Sequence, residues 1–126
     1  MIDLYFAPTP NGLKLRLAME ELADAGAGLD WRLIPVRLSE GEQHRPDFLA
    51  LSPNGKIPAI LDPNGPDGKP LGLFESGAIL LHLSDKTGKL MPAGAGRRYE
   101  TIQWVFFQMA FIGPMFGQVG YFHKFA

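Results

Sequence analysis

The chain has 126 residues, 46% of them hydrophobic, and a formal net charge of −1. That suits one packed domain, or one domain and a piece of another, and it excludes a disordered chain or a generic nucleic-acid binder. There is no cysteine, which excludes disulfides, thiolate metal sites and a cysteine nucleophile. No charged stretch followed by an apolar run opens the chain, so it reads as cytoplasmic without a secretory signal.

The first segment, Ile2 to Phe6, is short, apolar and β-prone, and predicts a strand. Ala7 to Gly12 is a cluster of breakers and predicts a loop. From Leu13 the apolar residues Leu13, Leu15, Leu17, Ala18 and Leu22 alternate with Lys14, Arg16, Glu20 and Glu21. That is helical periodicity with one polar face. The helix should end at Ala25–Gly28. Trp31 to Val36 predicts a second strand, and Pro35 within it argues for a sheet edge, where no ladder donor is lost. Ser39 to Pro46 reads as a loop, and Pro46 to Leu51 as one helical turn with proline at its first position.

Ser52–Gly55 predicts a turn, Ile57–Leu61 a strand, Pro63–Gly68 a hairpin loop and Leu71–Phe74 the returning strand. Glu75-Ser76 then opens an apolar helix that stops near Gly88. The order is β-α-β-α-β-β-α, an α/β arrangement with the first two strands parallel and the last two antiparallel. Residues 88–96 form a Pro/Gly-rich linker, and a strongly apolar helix runs from Arg97 to about Phe111. The span from Thr101 to Phe122 has no charged residue, and about 20 residues suffice to cross a bilayer. Gln103, Gln108, Gln118, Gly113-Pro114, Gly117 and Gly120 within it favour a buried helix over a membrane span.

Three places suggest chemistry. At Ile57-Pro58 a proline stands inside an apolar strand run. A cis peptide there would present the backbone of Ile57 to a peptide-like ligand, which would pair with it as an added strand. An ordinary trans proline at a strand start is the other reading, and both are open. At Glu75-Ser76 a helix begins. Ser76 offers a hydroxyl and an N–H to an anion and Glu75 offers a carboxylate to an ammonium, so together they suit the charged ends of an α-amino acid. Taken alone, these residues read more readily as a plain N-cap with a neighbouring acid, which is the commoner arrangement. In the loop Pro8–Gly12, Thr9 and Asn11 precede a helix and would hydrogen-bond a thiolate, lowering its pKa. The alternative is a connecting loop with Asn11 as N-cap. Tyr5, between Leu4 and Phe6, reads as core, and His44, His82 and His123 show no metal-ligand spacing.

These segments, in this order on this topology, resemble a soluble glutathione transferase. The runs Asn54–Ile60 and Phe74–Ile79 carry most of the likeness. The opening Tyr5–Gly12, with Gln103–Gln108 and Gly113–Gln118, is similar to the bacterial Nu-class, the glutathione-dependent disulfide-bond oxidoreductase subgroup. The resemblance covers essentially the whole chain. It implies a thioredoxin-like glutathione-binding domain over 1–87, a linker over 88–96, and the first helix of an all-α domain over 97–126, truncated at its C-terminal end.

It also implies cis-Pro58, with glutathione lying along Ile57. The γ-glutamyl end would meet Glu75 and Ser76, and the sulfur would meet Thr9 and Asn11. Gln43, and more weakly Lys56, would meet the glycine carboxylate. Glutathione is then the co-substrate, and small-molecule or protein disulfides are the partners. The absence of cysteine fits a reaction in which both thiols come from the ligand. No Tyr, Ser or Cys stands at the first-turn position, which argues against ordinary conjugation. A binding module without turnover and a transferase conjugating small electrophiles are the alternatives. Trp104, Phe106, Phe107, Met109, Phe111, Met115, Phe116, Tyr121, Phe122 and Phe125 would lack cover, and this predicts a homodimer, a swapped terminal segment or aggregation.

Overall fold

The computed structural model describes residues 1–125. They divide into one compact unit over Met1–Leu90 and a second that begins at Met91. The first unit runs β1 (Ile2–Phe6), α1 (Pro10–Asp24), β2 (Trp31–Pro35), two 3-10 turns (Leu38–Glu40 and Glu42–His44), α2 (Pro46–Leu51), β3 (Ala59–Asp62), β4 (Leu71–Phe74) and α3 (Ser76–Thr87). This is the β-α-β-α-β-β-α order that the sequence predicts. The sheet order is β2-β1-β3-β4. β1 pairs parallel with β2, and β3 pairs antiparallel with both β1 and β4. β2 is an edge strand, and Pro35 is its last residue.

Alternation along the strands sends the side chains to two cores. Ile2, Leu4 and Ile60 meet Leu15, Met19 and Leu22 of α1 and Ile79 and Leu83 of α3. On the other side Ala59 packs with Ala7, Val36, Ile57 and Phe48, the last from α2. Tyr5 lies against Phe48 with ring centroids 5.9 Å apart, in the core as its neighbours suggest. The sheet is therefore covered by α1 and α3 on one face and by α2 on the other.

Several boundaries differ from expectation, and the helix after the linker begins at Ala95, two residues before the expected Arg97 and inside the expected linker 88–96. α1 begins at Pro10, three residues before the expected start, because Thr9 is its N-cap and Pro10 occupies the first helical position. Asn11 is thus inside the first turn and is not the cap. β3 begins at Ala59, after Ile57-Pro58, whose proline has no N–H to give to a ladder.

The second unit is helical: α4 (Ala95–Phe107), a π-helical turn (Gln108–Ile112) and α5 (Gly113–Lys124). The backbone stays right-handed α at Gln108, Ile112 and Gly113, so the helical path continues where Gly113-Pro114 suggests a stop. Gly113 N donates to the Gln108 carbonyl five residues back, and Pro114, which has no N–H to give, follows it. Among the described residues no helix is long and apolar enough to cross a membrane.

Candidate functional site

The sheet brings three segments to one end. Tyr5 pairs with Ala59 near the C-terminal end of β1, and Ala59 pairs in turn with Phe74, the last residue of β4. The loop after β1, Ile57-Pro58 before β3 and Glu75-Ser76 after β4 therefore sit side by side. α1 and α3 both begin at this end, so two positive helix termini converge on it.

In the loop, Thr9 adopts φ −110° and ψ 163° and its Oγ1 accepts from Gly12 N at 3.3 Å. Gly12 is buried, and a Cβ built there would lie 2.1 Å from the Ala7 carbonyl oxygen. Only glycine lets the loop fold back this tightly on the helix start. Asn11 is exposed beside Thr9 on the first turn.

The Ile57-Pro58 peptide is cis, the first of its two possible readings. Ile57 is 9% exposed and shares a cluster with Ala7. It precedes the first ladder residue of β3. The preceding turn is tied from inside: fully buried Ser52 donates from Oγ to the Lys56 carbonyl at 2.8 Å. Gly55, at φ 63°, packs against the turn Glu42–His44, with the Gln43 carbonyl 3.3 Å from where its Cβ would be. Gln43, Lys56 and Ile57 thus run along one flank. Gln43 Oε1 is buried with no hydrogen-bond partner, and Lys56 is exposed.

Glu42 holds this flank in place. It accepts from Arg37 N at 2.8 Å and from Arg37 Nη2 at 2.6 Å, and it also pairs with Arg45 at 3.3 Å. The Arg37 hydrogen bonds bring its carboxyl pKa down to about 2.

Glu75 is exposed and has φ 72° and ψ 114°, a conformation that costs a non-glycine residue free energy and that gathers at ligand sites. Ser76, 6% exposed, is the first residue of α3. Lys14 of α1 donates from Nζ to Ser76 Oγ at 3.0 Å. Burial lowers the pKa of the Lys14 ammonium, and Glu75 acts in the opposite sense. No acid stands in the first turn of either helix. The end of the sheet therefore offers hydrogen-bond donors and positive potential, with the Glu75 carboxylate at one side. An extended peptide-like anion with one ammonium group matches this layout.

Thr9, Ile57-Pro58 and Glu75-Ser76 are thus brought together, Asn11 lies beside Thr9, and Gln43 and Lys56 line one flank. Lys14 and Ser52 are additions that the sequence reading did not single out. A cation one turn inside a helix start, where the dipole disfavours it, was the available signal for Lys14. Ser52, a serine in a turn motif, gave none. His82 is satisfied by Asp62, with Nε2 2.8 Å from Oδ2. Among the described residues no group of three histidine or acidic side chains is placed to hold a metal.

Residues 10–86 match the family model described as glutathione S-transferase, N-terminal domain. The chain is 55% identical over 124 residues to disulfide-bond oxidoreductase YfcG of Escherichia coli strain K12, a match covering 98% of this chain and 55% of that protein. It superimposes with a TM-score of 0.91 and 55% identity on a glutathione transferase family member from Pseudomonas fluorescens crystallised with two glutathione bound, over 99% of this chain and 53% of that one. A glutathione transferase from Pseudomonas putida with one glutathione disulfide per subunit gives the same TM-score of 0.91 at 53% identity, over 99% and 52%. The chain spans about half the length of these relatives. With the family model covering more than half of its residues, this chain belongs to the glutathione S-transferase family and carries its N-terminal domain.

Proposed function

We propose that this chain binds glutathione across the end of the sheet and serves glutathione-dependent thiol:disulfide exchange. The observation that carries the reading is the convergence of the two helix starts, at Thr9 and at Ser76, on either side of Ile57. An anion is favoured at each start, and Ile57 lies between them, beyond the ladder, where an extended peptide would pair. Glutathione has this charge layout: an amino-acid head for Glu75 and Ser76, a thiol for Thr9 and Asn11, and a terminal carboxylate for Gln43 and Lys56. The buried Gln43 Oε1 without a partner fits a flank that completes its hydrogen bonds with ligand.

In the reaction, the glutathione thiolate is held by the Thr9 hydroxyl, the Asn11 amide and the start of α1. It attacks one sulfur of a disulfide, the S–S bond breaks, and the other sulfur leaves as a thiolate that takes up a proton. A second glutathione thiolate attacks the glutathione sulfur of the resulting mixed disulfide, the S–S bond breaks, glutathione disulfide is released, and the substrate sulfur leaves as a thiolate that takes up a proton. The bound states of the Pseudomonas relatives, two glutathione or one glutathione disulfide, support this sequence. The domain division 1–87, 88–96 and 97 onward, a homodimeric state and a cytoplasmic location belong to the same reading.

The test is turnover of a glutathione mixed disulfide by the 126-residue chain. Asn11→Ala should lower kcat at least tenfold, a loss of about 1.4 kcal/mol of transition-state stabilisation. Glutathione binding without any turnover would leave only the binding module. Loss of conjugating activity in Tyr5→Phe would favour the conjugating transferase.

A further inference from the structure

We infer that Asp62, with His82 and Lys86, is a positioning residue for the ligand: it braces α3 against β3 and thereby holds Glu75 in the backbone conformation seen here. The inference rests on the glutathione reading for its ligand measurements, and it assigns a role to a cluster at the other end of the sheet. Antiparallel pairing puts Ala59 and Phe74 at the ligand end of the β3–β4 hairpin, and Asp62 and Leu71 at the far end. Asp62 is 1% exposed and gathers three donors. His82 Nε2 lies 2.8 Å from Oδ2, Asn64 N donates to Oδ1 at 3.0 Å, and Lys86 Nζ stands 3.1 Å from Oδ2. Lys86 also donates to the Asn64 carbonyl at 2.7 Å. One carboxylate thus ties together the end of β3, the hairpin loop and the last two turns of α3.

This cluster is not needed to keep the helix on the sheet. Ile79 and Leu83 already pack α3 into the core, and a buried ion cluster adds little stability that apolar residues of similar volume would not. Apolar packing, however, has no direction. It tolerates a helix that slides or turns slightly, whereas hydrogen bonds converging on one carboxylate do not. The Asp62–His82 contact joins residues 20 positions apart, and so closes a circuit through the hairpin loop, β4, Glu75 and α3. Glu75 is the strained member of that circuit, at φ 72° and ψ 114°. Such a conformation persists where the surrounding structure over-determines it. Pairing of Phe74 with Ala59 fixes the chain on one side of Glu75. On the other side α3 fixes it, anchored by His82 and Lys86. Opening the circuit frees α3 to shift and Glu75 to relax, which moves its carboxylate from the ligand's ammonium. Thr9 and Asn11 lie outside the circuit, so the sulfur end is untouched.

Calorimetric titration with glutathione and amide hydrogen exchange, both on the 126-residue chain, test this. His82→Phe removes the donor and keeps the bulk. It should weaken glutathione about tenfold, within the range that substitutions remote from a site produce, while the pKa of the bound thiol, read by thiolate absorbance, stays where it is. His82→Gln, which can still donate to Asp62, should restore most of the affinity. Without ligand, the Ile79 amide, bonded to the Glu75 carbonyl at 3.0 Å, should exchange faster in His82→Phe, and the Leu4 amide of β1 should not. Leu22→Val, a core substitution outside the circuit, should lower the unfolding midpoint and leave the affinity unchanged. Lys86→Met removes only the ammonium and stands in should His82→Phe not fold; it should weaken glutathione about threefold. An affinity unchanged in both His82→Phe and Lys86→Met would overturn the inference. So would a loss in Leu22→Val that matches theirs, since Asp62 would then serve stability alone. If the wild-type chain bound no glutathione, the glutathione reading would fall, and Ile79 exchange alone would judge the brace: no faster exchange in His82→Phe would end it too.

Discussion

Thr9 combines two tasks in one hydroxyl. Its oxygen accepts from Gly12 N and caps α1, while a hydroxyl can still donate its own proton to a thiolate. The two tasks separate by substitution. Thr9→Ser keeps both. Thr9→Val keeps the shape but removes both, which should cost about 1 kcal/mol through the lost cap. It should also raise the pKa of bound glutathione thiol by about one unit through the lost hydrogen bond to its charged form. Thermal unfolding reads the first effect, and thiolate absorbance against pH reads the second. A lower unfolding midpoint with an unmoved thiol pKa would make Thr9 a cap and nothing more. This residue also marks a limit of the sequence. Thr9 and Asn11 are both good N-caps, and their types alone do not choose between them. Pro10 does: proline is at home in the first helical position and out of place farther in, so the residue before it is the cap. The closeness of Gly12 to the Ala7 carbonyl was not legible, because it depends on the angle at which the chain enters the helix.

The turn Glu42–His44 and the turn that carries Lys56 lean on each other, and Glu42 organises the pair. Its carboxyl titrates near pH 2 in the folded chain, below the ordinary value of 4.5. A depressed carboxyl stabilises the fold fully above the unfolded pKa and stops doing so as pH falls through the folded one. Glu42→Gln should therefore be less stable than wild type at pH 7, and the gap between their unfolding midpoints should close between about pH 4.5 and pH 2. Circular dichroism melts across that range read it directly. A gap that stays constant down to pH 2 would mean that Glu42 acts by packing and not by charge. Asp62 is a second carboxylate whose pKa is lowered, which is why the difference between the two proteins is the informative quantity. Burial pushes Asp62 up, but the hydrogen bonds from His82, Asn64 and Lys86 outweigh it and leave it lowered. At this scale the sequence was most legible where period and punctuation agree: β1, α1, β4 and α3 each carry an unbroken pattern between breakers. It was least legible where a bond joins distant residues. Lys14 reads as one more polar residue on the outer face of α1 until α3 is packed beside it. The helical path through Pro114 was hidden for a related reason. A π turn precedes the proline there, and no residue type announces one.

Residues 95–124 form two helices and a π turn that carry many exposed large apolar side chains. Trp104 is 61% exposed, Phe106 63%, Phe116 73% and Phe122 64%. Clustered large apolar side chains are normally buried, and here each of these residues contacts water. The exposure that the sequence predicts is thus present for most of the aromatic residues, though Met109 is half-buried. Covering a large apolar side chain completely is worth roughly 1.5–3 kcal/mol, so four such residues in a contact would outweigh much of the entropic cost of association, put at about 4–15 kcal/mol. Self-association of the 126-residue chain is the expected result. Sedimentation velocity should show an average mass that rises with concentration in the micromolar range, and Phe116→Ser with Phe122→Ser should move it toward the monomer. Glutathione binding should survive that double substitution, because every residue assigned to the ligand lies before Met91, where the second unit begins. A monomer that persists at micromolar concentration would mean that these aromatic faces drive no association. A dimer that loses glutathione when the aromatics are replaced would mean that the second unit contributes to the site, and the division of labour between the two units would have to be redrawn.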